Sequence, residues 1–73
     1  EDYFAFLRHE AGTDKTCLVV LNFSDQEQAV IFELEVNQAR LLFSNEDRQE
    51  QTLALDGLNL KPFEIVVAEL VEG

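Results

Sequence analysis

The sequence predicts an all-β fold: a small antiparallel β-sandwich, Greek-key-like, of about seven short strands. Three observations lead there. Apolar residues recur with a period near two, where an amphipathic helix needs 3.6. The apolar runs are short and rich in β-branched and aromatic residues, and turn-forming or charged clusters separate them. No ten-residue stretch carries a helical stripe, because the best candidate, residues 25–36, is β-branched and alternates.

Residues 3–8 form the first expected strand. Residues 9–15 contain Gly12-Thr13-Asp14, a turn that leads into 16–22, a continuous apolar run suited to a central strand covered on both faces. These two strands should make a hairpin. Asn22-Phe23-Ser24-Asp25 and Gln26-Glu27-Gln28 end the second strand, with the Asn22 side chain expected to bond local backbone in the turn. In residues 29–36, Val30, Phe32, Leu34 and Val36 share a dry face, while Ile31, Glu33 and Glu35 share the opposite, wet one. Asn37-Gln38 breaks the pattern before a fourth strand over 39–44, and residues 45–51 are polar enough for an exposed loop. A short strand over 52–55 meets Asp56-Gly57, whose glycine supplies the positive φ of a tight hairpin turn, and 58–60 returns from it. Lys61-Pro62 makes a bend. The last strand, 63–70, places Phe63, Ile65 and Val67 on one face and Val66, Ala68 and Leu70 on the other, so both faces are largely apolar.

Seventy-three residues form one domain, 1–73, too short for a multidomain enzyme. Its 47% hydrophobic content is interleaved with acidic residues, which favours a packed core over an acidic disordered tail. Fifteen acidic residues against five basic ones give a net charge of −10, which argues against nucleic acid and anionic membrane as partners, since both require a positive surface. Cys17 is the single cysteine and sits inside an apolar run, where a small buried hydrophobe fits better than a reactive thiol. Nothing resembles a signal segment or the ~20 apolar residues of a membrane span, and the expected location is cytoplasmic. The chain has no methionine and opens on Glu1-Asp2-Tyr3, next to the first strand, so it is expected to be a piece excised from the C-terminus of a longer chain.

Four segments together suggest a family. They are Phe4-Ala5-Phe6-Leu7-Arg8, then Leu18-Val19-Val20-Leu21-Asn22-Phe23-Ser24-Asp25, then Leu41-Leu42-Phe43-Ser44, and last Leu58-Asn59-Leu60-Lys61-Pro62-Phe63-Glu64-Ile65-Val66-Val67. In order and spacing the chain resembles the C-terminal β-sandwich domain of the α-amylase superfamily of glycoside hydrolases, of the α-glucosidase, neopullulanase and trehalose-enzyme type. The resemblance implies a parent enzyme that hydrolyses or transfers α-glucosidic bonds, with its chemistry in a (β/α)8 barrel upstream. Such a barrel takes about 250 residues, so it lies outside this chain. The chain itself would be a non-catalytic accessory domain packing against that barrel and stabilising it, and once excised it would expose an apolar patch and self-associate.

No residue of the chain is assigned a catalytic, cofactor-binding or metal-binding role. A retaining glycosidase needs two carboxylates about 5 Å apart across a cleft. Glu33 and Glu35 fall on a wet strand face, and Glu46, Asp47 and Glu50 in a polar loop, so these read as solvated charges. His9 with Ser24 or Ser44 lacks the Gly-x-Ser-x-Gly turn of a nucleophile. Asn45-Glu46-Asp47 lacks the alternating ligands and turn glycine of a Ca²⁺ loop, and one His with one Cys makes no zinc site. The alternatives to the accessory-domain reading are a glycan-binding sandwich and a stand-alone protein-interaction domain. The aromatic residues available for an inter-domain or glycan contact are Tyr3 and Phe23; core packing accounts for Phe4, Phe6, Phe32 and Phe63.

Overall fold

The computed structural model describes residues 3–34 and 36–71. Seven strands are present: β1 (Tyr3–His9), β2 (Thr16–Asn22), β3 (Gln28–Val30), β4 (Gln38–Ser44), β5 (Thr52–Ala54), β6 (Leu58–Leu60) and β7 (Ile65–Leu70). They form a five-stranded sheet in the order β1-β2-β7-β4-β5 and a two-stranded ribbon of β3 and β6, with every pairing antiparallel. This is the architecture of a small β-sandwich.

The β1–β2 hairpin forms as expected, with Ala5 opposite Val20 and Leu7 opposite Leu18. Its turn is held by the Glu10 amide donating to the Lys15 carbonyl at 3.0 Å, and Gly12 adopts φ +80, which a side chain would strain. β7 inserts between β2 and β4, so both of its edges are paired. Leu18, Val20, Val66 and Ala68 point inward and meet Val30, Leu58 and Leu60 of the ribbon, with Ala39, Leu53 and Leu55 completing the buried cluster. Tyr3, Ala5, Phe32, Leu34, Val36, Leu41 and Leu70 pack around it, half-buried.

Three elements differ from expectation, the first being the last strand, expected over 63–70, which begins at Ile65 because Phe63 and Glu64 belong to the turn closed by the Glu64 amide on the Lys61 carbonyl. The strand expected over 29–36 is a ladder only over Gln28–Val30. Its alternation still holds, since Phe32, Leu34 and Val36 lie on the core side while Ile31 and Glu33 are exposed; Glu35 lies outside the described residues. The ladder stops at Val30 because its partner Leu58 is the first residue of β6, and the residues before it, Asp56-Gly57, cross to the large sheet instead of continuing beside β3. Beyond it the Phe32 amide bonds the Leu55 carbonyl at 2.8 Å, and the Leu55 amide bonds the Asn37 carbonyl at 2.9 Å.

The third difference is at Asp56-Gly57, which is not the expected hairpin turn. β5 pairs with β4 in the large sheet and β6 pairs with β3 in the ribbon, so these two residues carry the chain from one sheet to the other. Leu55 and Leu58 on either side are both buried, and Gly57 does not take a positive φ. A corner between layers and a hairpin present the same apolar-turn-apolar pattern. The partner strands decide between them.

Candidate functional site

The inward rows of the large sheet make the core, and the outward rows remain. Three registers cross the sheet on that side. Phe4 faces Leu21, which faces Ile65; Phe6 faces Val19, then Val67, then Phe43; Arg8 faces Cys17, then Glu69, then Arg40. The first two rows are wholly apolar and the third is charged. Phe4, Phe6, Leu42, Phe43 and Ile65 are all exposed large hydrophobics, the first two with ring centroids 5.5 Å apart. An irregularity between Leu41 and Phe43 puts Leu42 out of the ladder and adds its side chain to this surface.

A monomer rarely exposes a contiguous apolar area of this kind without a use for it. Core packing accounts for none of Phe4, Phe6 or Phe63: Phe4 is 53% exposed, Phe6 42% and Phe63 59%. Alternation alone cannot tell which of two apolar faces is covered when only a three-residue ribbon is available for one of them. Cys17 belongs to the same outward side and is half-buried there, lining a concavity of about 550 Å³ with Arg8, Val19 and Val67. It is not part of the buried cluster.

Phe23 and Phe63 extend the outward side past the strand ends. The Phe63 amide donates to the Ser24 carbonyl at 3.1 Å, which ties the two loops together. Lys61-Pro62-Phe63-Glu64 closes with the Glu64 amide on the Lys61 carbonyl at 3.0 Å, and Phe63 at its third position has φ 57. That is the pattern of a type II turn with proline at its second position, and the third position is where glycine or asparagine is ordinary. A phenylalanine there costs roughly 1 kcal/mol or more in backbone strain.

Beneath this turn lies a polar cluster that holds it. Glu64 is completely buried, and its carboxylate accepts four hydrogen bonds: Ser44 Oγ at 2.7 Å, the Lys61 amide at 2.9 Å, Arg48 Nη2 at 2.9 Å, and Arg48 Nε. Arg48 also donates to the Asn59 carbonyl and, through Nη1, to Glu50 at 2.8 Å. Burial pushes the Glu64 pKa up; the bonds from Arg48, Ser44 and the Lys61 amide, with the Arg48 charge, outweigh it and hold the group below its ordinary value. Arg48 is raised in turn, first by its hydrogen bond to Glu64.

Two asparagines finish the frame. Asn22, also buried, accepts from the Ser24 amide at 2.9 Å and donates to the Lys61 and Gln26 carbonyls at 2.9 and 3.0 Å. Asn45 donates to the Phe63 carbonyl at 3.1 Å and accepts from the Ile65 amide at 2.8 Å. Among the described residues no buried side-chain nitrogen or oxygen is left without a partner.

The sequence-selected residues fall as follows. Tyr3 is half-buried against the core, whereas Phe23 is exposed on the outward side, so they do not form one surface. His9 bonds Thr16 Oγ1 at 2.9 Å at the far end of β2 from Ser24, and Ser44 is engaged with Glu64, so no Ser–His pair is assembled. Among the described residues, no group of three His, Cys, Asp or Glu side chains is gathered closely enough to hold a metal ion. The loop at 45–51 is anchored through Asn45 and Arg48 rather than simply solvated. The Glu64–Arg48 pair was not legible as such, because a lone arginine among acidic and amide residues gives no signal of which carboxylate it meets. Searched against protein-family models and curated protein sequences, the chain matches none.

Proposed function

We propose that the chain is a non-catalytic accessory β-sandwich that docks by the outward face of its large sheet onto a larger folded domain, the (β/α)8 barrel of an α-amylase-type glycosidase. Its role there is to stabilise the barrel. The observation that carries this reading is the uncovered apolar face made by Phe4, Phe6, Leu42, Phe43, Ile65 and their half-buried neighbours. The resemblance of the four segments supplies the occupant. Parent chemistry, hydrolysis or transfer at α-glucosidic bonds, belongs to the barrel.

The magnitudes fit a docked module. Burying about 100 Å² on each of five exposed aromatic or aliphatic side chains releases on the order of 10 kcal/mol gross, at about 25 cal/mol per Å². Much of that gross figure offsets the ordering of two bodies when they are separate molecules, but a tethered domain bears far less of this cost. A fixed inter-domain contact is therefore the expected state.

The test is to read the coding sequence upstream of the Glu1 codon. A frame that continues through alternating strands and helices for about 250 residues, with an Asp and a Glu at successive strand ends, is the expected result. A stop codon, or an upstream domain of another architecture, overturns the assignment.

A further inference from the structure

We infer that Phe63 and Phe23 are the anchor of the docking face, and that the surface receiving them is an apolar pocket of a folded protein domain rimmed by Lys or Arg side chains. The inference rests on the docking reading above and gives its contact a chemistry. Glycine would make the Lys61–Glu64 turn without strain, so the ring is what phenylalanine adds at position 63. That ring contributes nothing to the buried cluster: Phe63 is 59% exposed, and Phe23, tied to it through the Ser24 carbonyl, is 61% exposed. The strained backbone is meanwhile fixed on three sides, by Asn45 at the Phe63 carbonyl, by Asn22 at the Lys61 carbonyl, and by the buried Glu64 that follows it. Two exposed aromatics on a preorganised frame are the composition of an interface hot spot.

The surrounding charge selects the occupant. Asp25 follows Ser24, and Glu46 follows Asn45, each one residue from a group bonded to Phe63. Farther round the turn, at Lys61, Glu27, Asp47 and Glu50 line a separate concavity of about 300 Å³ with Arg48, whose charge is already engaged by Glu64 and Glu50. A second copy of this chain, also at a net charge of −10, would be repelled, while a basic rim answers these carboxylates.

Cys17, on the same outward face, reports whether the face is covered. In the full-length protein, alkylation of Cys17 by N-ethylmaleimide, followed at its peptide by mass spectrometry, is expected to run about a hundredfold slower than in urea. Phe63→Gly and Phe23→Ala should each weaken docking by about thirtyfold and raise the labelling rate, with unfolding temperature monitored so that loss of fold is separated from loss of docking. Raising NaCl should raise the wild-type rate by screening the rim, and Asp14→Asn, on the distant hairpin turn, should leave it unchanged. Protection that survives both substitutions, or that ignores salt, overturns the anchor and leaves the docked face standing. A wild-type Cys17 labelled within a few-fold of its unfolded rate overturns the docked face itself.

Discussion

Glu64 is a carboxylate with no access to water, and its worth to the fold depends on Arg48 being there. Removing one partner of a buried ion pair leaves the other charge uncompensated and costs about 3–5 kcal/mol. For a domain of this size, whose total stability is on the order of 4–11 kcal/mol, that is a large share. Arg48→Met is expected to lower the urea midpoint steeply, whereas Glu46→Gln in the same loop should change it little. The pair also sets a pH dependence. Because the Glu64 pKa is lowered on folding, the unfolded chain binds its proton more readily, so the contribution is complete above the ordinary value of 4.5 and is lost as pH falls below it. Urea titrations from pH 7 down to pH 3 should show stability declining below about 4.5 in the wild type. The decline should be shallower in a Glu64→Gln, Arg48→Met double variant. A wild-type curve that is flat through that window would remove the pair from the acid response. Neither residue announced this role: Pro-Phe-Glu is an ordinary tripeptide, and Arg48 lies sixteen residues upstream in a loop read as solvated.

At the scale of elements, alternation and turn chemistry located the strands well and their partners poorly. Strand 16–22 and strand 58–60 fall where the pattern put them, since a strand's position depends on its own residues. Pairing depends on other segments, which is why residues 31–34 and 36 keep their inward and outward rows without becoming a ladder, and why Asp56-Gly57 joins two sheets instead of two neighbouring strands. The two turn glycines separate these cases experimentally. Gly12 holds φ +80, so Gly12→Ala is expected to destabilise by about 1 kcal/mol, or several degrees in the unfolding temperature. Gly57 has no positive φ and open space for 4 Å around the position a Cβ would take, so Gly57→Ala is expected to be neutral or slightly stabilising through the unfolded chain. Thermal unfolding of the two variants checks both; a larger loss at Gly57 would restore the tight hairpin at Asp56-Gly57.

For the whole molecule the deciding feature is the mismatch between two apolar sheet faces and material to cover only one. Both rows of β7 were visible as apolar in the sequence, yet which row faces water was not, because the answer depends on where the small β3–β6 ribbon lies. With its outward side uncovered, the 73-residue chain alone should associate through it, held back by a net charge of −10. The two effects respond oppositely to salt. Screening weakens the repulsion, since the Debye length falls from ~30 Å at 0.01 M to ~8 Å at 0.15 M, and leaves the burial of apolar area intact. Sedimentation velocity is therefore expected to show a monomer at low salt and low concentration and a growing associated fraction as either rises. Phe6→Lys with Phe43→Lys places a cation in each end of the middle apolar row and should hold the chain monomeric at all salt concentrations, with its circular dichroism and urea midpoint near the wild-type values because neither ring belongs to the core. Association that persists in that double variant would move the contact elsewhere, to the free edge of β1 or of β5, where unpaired backbone groups are offered instead of side chains.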